Sequence, residues 1–225
     1  MKKLVALLLA GVMTLGIAAF ADETNEEFPV TIGKVEEVAG DGSYITLKTE
    51  SGVYDELTAN MDISTAVLSA SGEYLAEGIK TGDRVAVFHS FAVTMSIPAQ
   101  SYAYAVVVMG EEDKIPAYIR INAIENDGSD YVITSSGGKF EFTAVKETAV
   151  VPYHTKNIVK AMDLKVGDGI LVWYGVSTKS IPEKAVADKI MLVNPAVETE
   201  ELEGTAMITL RDVAEKLGAE VSWDA

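Results

Sequence analysis

No cysteine occurs among the 225 residues, which rules out a disulfide framework and any thiolate metal site. Histidine is nearly as scarce, with only His89 and His154, whereas a zinc centre needs three or four ligands held in one geometry. Positive charge is also short: 18 Lys and Arg stand against 34 Asp and Glu, a formal net charge of −16. Nucleic-acid binding displaces phosphate counterions with a basic footprint, and none is present. The chain has no Gly-x-Gly-x-x-Gly fingerprint, no phosphate-binding loop and no Gly-x-Ser-x-Gly nucleophile elbow. Apolar residues, by contrast, make up 48% of the chain, too many for a disordered acidic tail. The length allows one or two cored domains.

Met1-Lys2-Lys3 opens with positive charge, and Leu4 to Ala19 is a nearly unbroken apolar run. Ala19-Phe20-Ala21 then places small residues at the −3 and −1 positions, before the acidic Asp22-Glu23. Residues 1–21 therefore read as a secretory signal cleaved after Ala21. The run is shorter than the ~20 residues that a helical span requires. No cysteine stands at the cleavage site for a lipid anchor, and no later apolar stretch reaches spanning length. Cleavage removes Lys2 and Lys3 and no acid, so the remainder is two charges more negative than the whole. The expected location is secreted or cell-envelope associated.

After the acidic leader Asp22 to Glu27, the pattern from Phe28 to Met109 is β throughout. Val30–Val35 and Tyr44–Thr49 alternate in polarity and are joined by a Gly40-Asp41-Gly42-Ser43 turn. Arg84–Phe88 and Ala103–Met109 are further strands, the latter continuously apolar, as a strand buried on both faces would be.

The chain then repeats itself. Lys34-Val35-Glu36-Glu37-Val38 with Asp41-Gly42-Ser43 returns as Arg120-Ile121-Asn122-Ala123-Ile124 with Asp127-Gly128-Ser129. Thr65-Ala66-Val67 returns as Thr148-Ala149-Val150, and Ile79-Lys80-Thr81-Gly82-Asp83 as Leu164-Lys165-Val166-Gly167-Asp168. Ser96-Ile97-Pro98 returns as Ser180-Ile181-Pro182, and Val106–Met109 as Ile190–Val193. Five matches in one order mark a duplication, with the small drift in spacing accounted for by short loop insertions. Each unit has room for five or six short strands, which suits a small barrel. The expected fold is mainly β: two tandem OB- or SH3-like barrel repeats, 28–110 and 115–193, that superpose on one another. In the Lys-x-Gly-Asp turn, Gly82 and Gly167 supply the left-handed conformation and Asp83 and Asp168 bond nearby amides. Pro98 and Pro182 precede the last strand of each unit, where a missing amide hydrogen is harmless.

Residues 194–204, with four glutamates between Glu198 and Glu203, read as an acidic linker. Beyond it, Leu210, Val213, Ala214 and Leu217 form one apolar helical stripe, with Thr209 and Asp212 as capping box and Gly218 as terminator. Glu220–Trp223 begins a strand, making 205–225 a short strand-helix-strand fragment. The run from Met207 to Asp224, with Leu210-Arg211, Ala214-Glu215-Lys216-Leu217-Gly218 and Val221-Ser222-Trp223-Asp224, resembles the copper amine oxidase N-terminal-like domain. That stalk-type module is common in exported proteins of Gram-positive bacteria, and the resemblance covers a truncated part of it. It implies an envelope-associated accessory role. It carries over no catalytic residue, since the module is not the copper-bearing part of an amine oxidase.

Few residues offer chemistry. His89 and His154 occupy non-equivalent repeat positions, Tyr174 standing where His89 does. The Asp-Gly-Ser triplets at 41–43 and 127–129 lack the six to eight oxygens of a calcium site and read as hairpin turns. Tyr102, Tyr104, Tyr153, Trp173 and Tyr174 are available to line a groove, or to fill core and rim. No catalytic, cofactor-binding or metal-ligating residue is assigned, and no cofactor is expected. The expected function is an exported, non-catalytic binding or scaffolding protein of the bacterial cell envelope, acting on an envelope or protein partner that the sequence does not name. The alternatives are a secreted enzyme with a site between the repeats and a low-affinity divalent-cation binder.

Overall fold

The computed structural model describes residues 27–51, 53–196, 199–202 and 205–208. The expected signal at 1–21 and the helix and final strand at 209–225 lie outside the described residues, as does most of the stretch resembling the stalk module.

Twelve strands build two barrels of one topology. The first unit contains β1 (Val30–Val38), β2 (Tyr44–Ser51), β3 (Glu56–Asn60), β4 (Ala66–Ser69), β5 (Arg84–Val93) and β6 (Ala99–Val108). The second contains β7 (Ala117–Asn126), β8 (Tyr131–Ser135), β9 (Phe140–Ala144), β10 (Ala149–Pro152), β11 (Gly169–Ser177) and β12 (Glu183–Asn194). In the first sheet the order is β3-β2-β1-β5-β6, and β3 pairs in parallel with β6 to close the ring. In the second it is β9-β8-β7-β11-β12, closed by the parallel pair β9 and β12. The short strands β4 and β10 add in parallel to β6 and β12 respectively. This is the five-stranded, OB-type Greek-key barrel, made twice.

The residues matched by the duplication are those that fix this geometry. Gly82 and Gly167 have φ of 95° and 91°, a conformation that L side chains rarely adopt. Their N–H groups donate to Val35 O and Ile121 O, each at 2.8 Å, tying the turn to the first strand of its barrel. Asp83 and Asp168 accept from the N–H of Lys80 at 2.7 Å and Lys165 at 2.8 Å. Thr65 Oγ1 donates to Ala103 O, and Thr148 Oγ1 to Ala187 O, each at 2.8 Å.

Alternation along β5, β6, β11 and β12 divides two apolar faces. Val85, Val87 and Val106 point into the first barrel's core, and Ile170, Val172 and Ile190 into the second. The intervening residues form a third cluster shared between the barrels: Ala86, Phe88, Ala105 and Val107 from one, Leu171, Met191 and Val193 from the other. All seven are at most 5% exposed. Strands buried on both faces are poor in charge, and in the first unit Val85 to Gly110 contains no Asp, Glu, Lys or Arg. Side-chain pegs add direction to this seam. Trp173 Nε1 donates to Ala70 O at 2.7 Å, Tyr153 Oη accepts from Val67 N–H at 2.9 Å, and Asn194 Nδ2 donates to Ser64 O at 3.2 Å. Lys189 lies over the Trp173 ring at 5.0 Å and donates to Gly72 O at 2.7 Å. Gly72 is needed there, because a Cβ would sit 2.7 Å from both the Lys189 Nζ and the Trp173 ring.

One expectation is corrected. The acidic stretch 194–204 is not wholly linker, because β12 runs to Asn194, and β13 (Thr199–Leu202) pairs antiparallel with β14 (Thr205–Ile208). Thr199, Leu202, Thr205 and Ile208 are residues with strand-compatible shapes, and the intervening glutamates hid that pattern.

The shared cluster makes a specific demand on Leu171, which is 0% exposed and faces the opposite barrel rather than its own core. Leu171→Ala is expected to cost about 2–5 kcal/mol of unfolding free energy, as deletion of a fully buried side chain does. Urea denaturation measures this, and a loss under about 1 kcal/mol would contradict a packed seam.

Candidate functional site

The aromatic and histidine residues singled out in the sequence do not converge on one site. Tyr102 and Tyr104 of β6 join Phe28, Phe91 and Tyr118 in a cluster that crosses the seam. Phe28 meets Tyr104 and Tyr118 edge-on, with ring centres 5.1 and 5.0 Å apart, and Tyr104 stacks on Tyr118 at 5.6 Å. The Arg120 guanidinium sits 5.4 Å from the Phe28 ring centre. Glu27 secures this leader on the second barrel, accepting from Ser135 Oγ and from Lys139 N–H at 3.2 Å. Tyr102 Oη donates to Asp62 Oδ1 at 2.9 Å, and burial together with that carboxylate pushes its hydroxyl up to about 12. These rings face one another and fill the crevice between the barrels. Tyr153 and Trp173 serve as the seam pegs, and Tyr174 packs on Phe142 at 5.0 Å inside the second barrel.

His89 is 3% exposed within β5. Its Nδ1 lies 2.9 Å from Ser90 O and its Nε2 3.0 Å from Thr31 Oγ1. A carbonyl can only accept, so Nδ1 carries the proton in the neutral ring and Nε2 accepts from the Thr31 hydroxyl. His154 follows β10, set edge-on against Tyr153 with ring centres 4.8 Å apart, and its buried Nε2 makes no well-formed hydrogen bond among the described residues. The two histidines belong to different surroundings. Among the described residues no three His, Asp or Glu side chains gather as a metal would require.

Both Asp-Gly-Ser segments are turns. Asp41 Oδ1 accepts from Ser43 N–H at 3.0 Å and Ser43 Oγ at 2.7 Å, which holds its carboxyl below the usual range. Asp127 Oδ1 accepts from Asp130 N–H at 3.4 Å. Asp168 is spent on two amides, those of Lys165 and, at 2.7 Å, Ala196.

What remains conspicuous is a matched pair of hairpin tips. The tip from β5 to β6 is Thr94-Met95-Ser96-Ile97-Pro98, and the tip from β11 to β12 is Thr178-Lys179-Ser180-Ile181-Pro182. In the first, Ser96 Oγ donates to Pro98 O at 2.7 Å, so the 2.6 Å contact to Thr94 Oγ1 must be donated by the threonine. Thr94 Oγ1 in turn accepts from Gln100 N–H at 2.9 Å. The second tip repeats all three bonds through Ser180, Pro182, Thr178 and Lys184, at 2.6, 2.7 and 2.9 Å. Both prolines follow a cis peptide bond. These networks hold out Ile97 at 99% exposure and Ile181 at 91%, side chains that contribute nothing to either core. The sequence carried this signal as the repeated Ser-Ile-Pro, but not the exposure of its isoleucines.

No family model matches the chain, and no curated protein matches it. Among solved structures, the silver(I) form of CusF is similar to 37% of this chain over 99% of its own, with 17% identity and a TM-score of 0.28. A copper(II) form of a CusF variant from Escherichia coli is similar to 36% of this chain over 91% of its own, with 16% identity and a TM-score of 0.27.

The buried histidines set a pH dependence. Burial holds both below the ordinary imidazole value of 6.5, so the unfolded chain binds more protons than the folded one below that pH. Their contribution is complete above about pH 6.5 and is lost as pH falls toward the depressed folded values. Urea midpoints taken down through this window should fall, and His89→Gln with His154→Gln should flatten the fall. An unchanged slope in the double variant would contradict the assignment.

Proposed function

We propose that this protein is an exported, non-catalytic binding or scaffolding module of the bacterial cell envelope that engages its partner through the two hairpin tips. Export rests on the N-terminal pattern of charge, apolar run and Ala-x-Ala. The envelope role draws further support from the stalk-module resemblance at 207–224. The observation that carries the binding role is the duplicated tip. Two copies that differ at most positions keep the same three hydrogen bonds around an isoleucine that stabilises neither barrel. A pre-ordered turn presenting an apolar side chain loses little conformational entropy on docking, which makes it a good anchor for a shallow apolar socket. The rigid seam would fix the distance between the two anchors, so that one partner with two sockets gains from both.

Serine at both tips tests this. Ile97→Ser and Ile181→Ser remove only exposed surface and should leave stability within about 0.5 kcal/mol. Captured proteins from native envelope fractions should be retained by the parent protein, reduced in each single variant and lost in the double variant. The same capture by parent and double variant would overturn the role of the tips.

A further inference from the structure

We infer that the cleft at one end of the second barrel is a binding site for a small organic anion with an apolar body, such as a short-chain or single-ring carboxylic acid. This site is separate from the tips and stands whether or not they bind a partner. A cleft of about 250 Å³ opens there, with apolar walls from Tyr131, Ala144, Val150, Val159, Ala161 and Met162.

The duplication supplies an internal control for it. Thr65 and Thr148 are equivalent, as are the bonds that Asp62 N–H and Val145 N–H make to their hydroxyls, at 3.1 and 3.0 Å. Counting back one residue, Met61 of the first barrel corresponds to Ala144 of the second. Met61 packs against the first barrel's core. The shorter Ala144 is itself 1% exposed in the second core and forms the floor of the cleft, whose walls Tyr131, Val150, Val159 and Ala161 pack against that core. The core itself is not thinned, because Phe142 stands where the first barrel has Ala59. The loop between β10 and the Gly167 turn is also two residues longer than its counterpart, counted from Tyr153 to Leu164 against Ala70 to Ile79. The longer loop includes a 3-10 turn, Ala161–Asp163, whose Ala161 and Met162 wall the cleft, and Asp163 pins it by accepting from Lys160 N–H at 2.8 Å.

The polar lining gives the ligand its charge. Lys146 and Lys160 both border the cleft, and among the described residues that line it none is a carboxylate, Asp163 being engaged with Lys160 N–H. Lys146 replaces the exposed Ile63 of the first barrel. Ser129 and Thr148 add hydroxyls at the rim, the Thr148 proton being spent on Ala187 O. The volume is below the ~300–1,000 Å³ of sites for drug-sized ligands, which limits the occupant to one ring or a short chain.

Hexanoate and phenylacetate, with hexanol as the neutral control, are the probes, and amide chemical shifts of the full protein are the readout. At millimolar concentration both acids should shift residues around Ala144, Val150 and Ala161. Ala144→Met, which restores the residue of the first barrel, should abolish those shifts. Lys146→Gln with Lys160→Gln should weaken the acids by about fivefold, the worth of two exposed ion pairs, and leave hexanol unchanged. No shift with either acid, shifts mapping elsewhere, or shifts that persist in Ala144→Met would overturn the site. If Ala144→Met does not fold, the lysine pair decides alone, and equal acid affinity with and without it overturns the proposal.

Discussion

The seam between the barrels is the contact on which the rest of the structure depends. Each small barrel closes its own core with only one face of β5, β6, β11 and β12. The other face of these strands is equally apolar and is buried only because the second barrel covers it. Fully burying a side chain such as Leu171 or Phe88 contributes roughly 1.5–3 kcal/mol, so Phe88, Val107, Leu171, Met191 and Val193 together match the stability margin, about 5–15 kcal/mol, of a typical small domain. Neither barrel could expose that face alone without presenting a contiguous apolar patch to solvent. The pegs Tyr153 and Trp173 then select one orientation among those the apolar contact would permit, and Phe28 closes the crevice from the side.

That arrangement decides where function can reside. Aromatic residues that would serve as a recognition surface in a single barrel are here packed against each other or against the opposite unit. The ends of the barrels remain free. There the two copies compare differently: at the hairpin tips they agree in all three side-chain hydrogen bonds, while at the barrel end they part, Met61 standing in one where the smaller, buried Ala144 floors a cleft in the other. Agreement between copies marks a shared backbone requirement or a shared anchor. Divergence at a buried position, with Phe142 two residues earlier on the same face of β9 where the first barrel has Ala59, is the difference on which the proposed anion site rests.

Much of the fold was legible because its determinants are local. Gly82 and Gly167 announce left-handed turns, the Asp-Gly-Ser triplets announce hairpin connections, and the order of matches announces two copies of one barrel. The unbroken apolar run of Ala103–Met109 also told correctly of burial on both faces. It could not tell what lay on the second face, because the partner surface is the same run in the other repeat, more than 80 residues away. Trp173 and Tyr153 were visible as aromatic residues, but their hydrogen bonds to Ala70 and Val67 are long-range, and composition gives no hint of them. The hairpin at Thr199–Ile208 was hidden by glutamates whose charge suggested a solvated linker. The cleft rests on the Met61-to-Ala144 difference together with a longer loop, readable only once the register of β3 and β9 is known.

Calorimetry tests the central claim most directly, because a seam that both barrels need makes them unfold together. One heat-absorption transition is expected, with a calorimetric enthalpy equal to the van't Hoff enthalpy for the pair of barrels. Two resolved transitions, or a calorimetric enthalpy near twice the van't Hoff value, would show two independent barrels and contradict that claim.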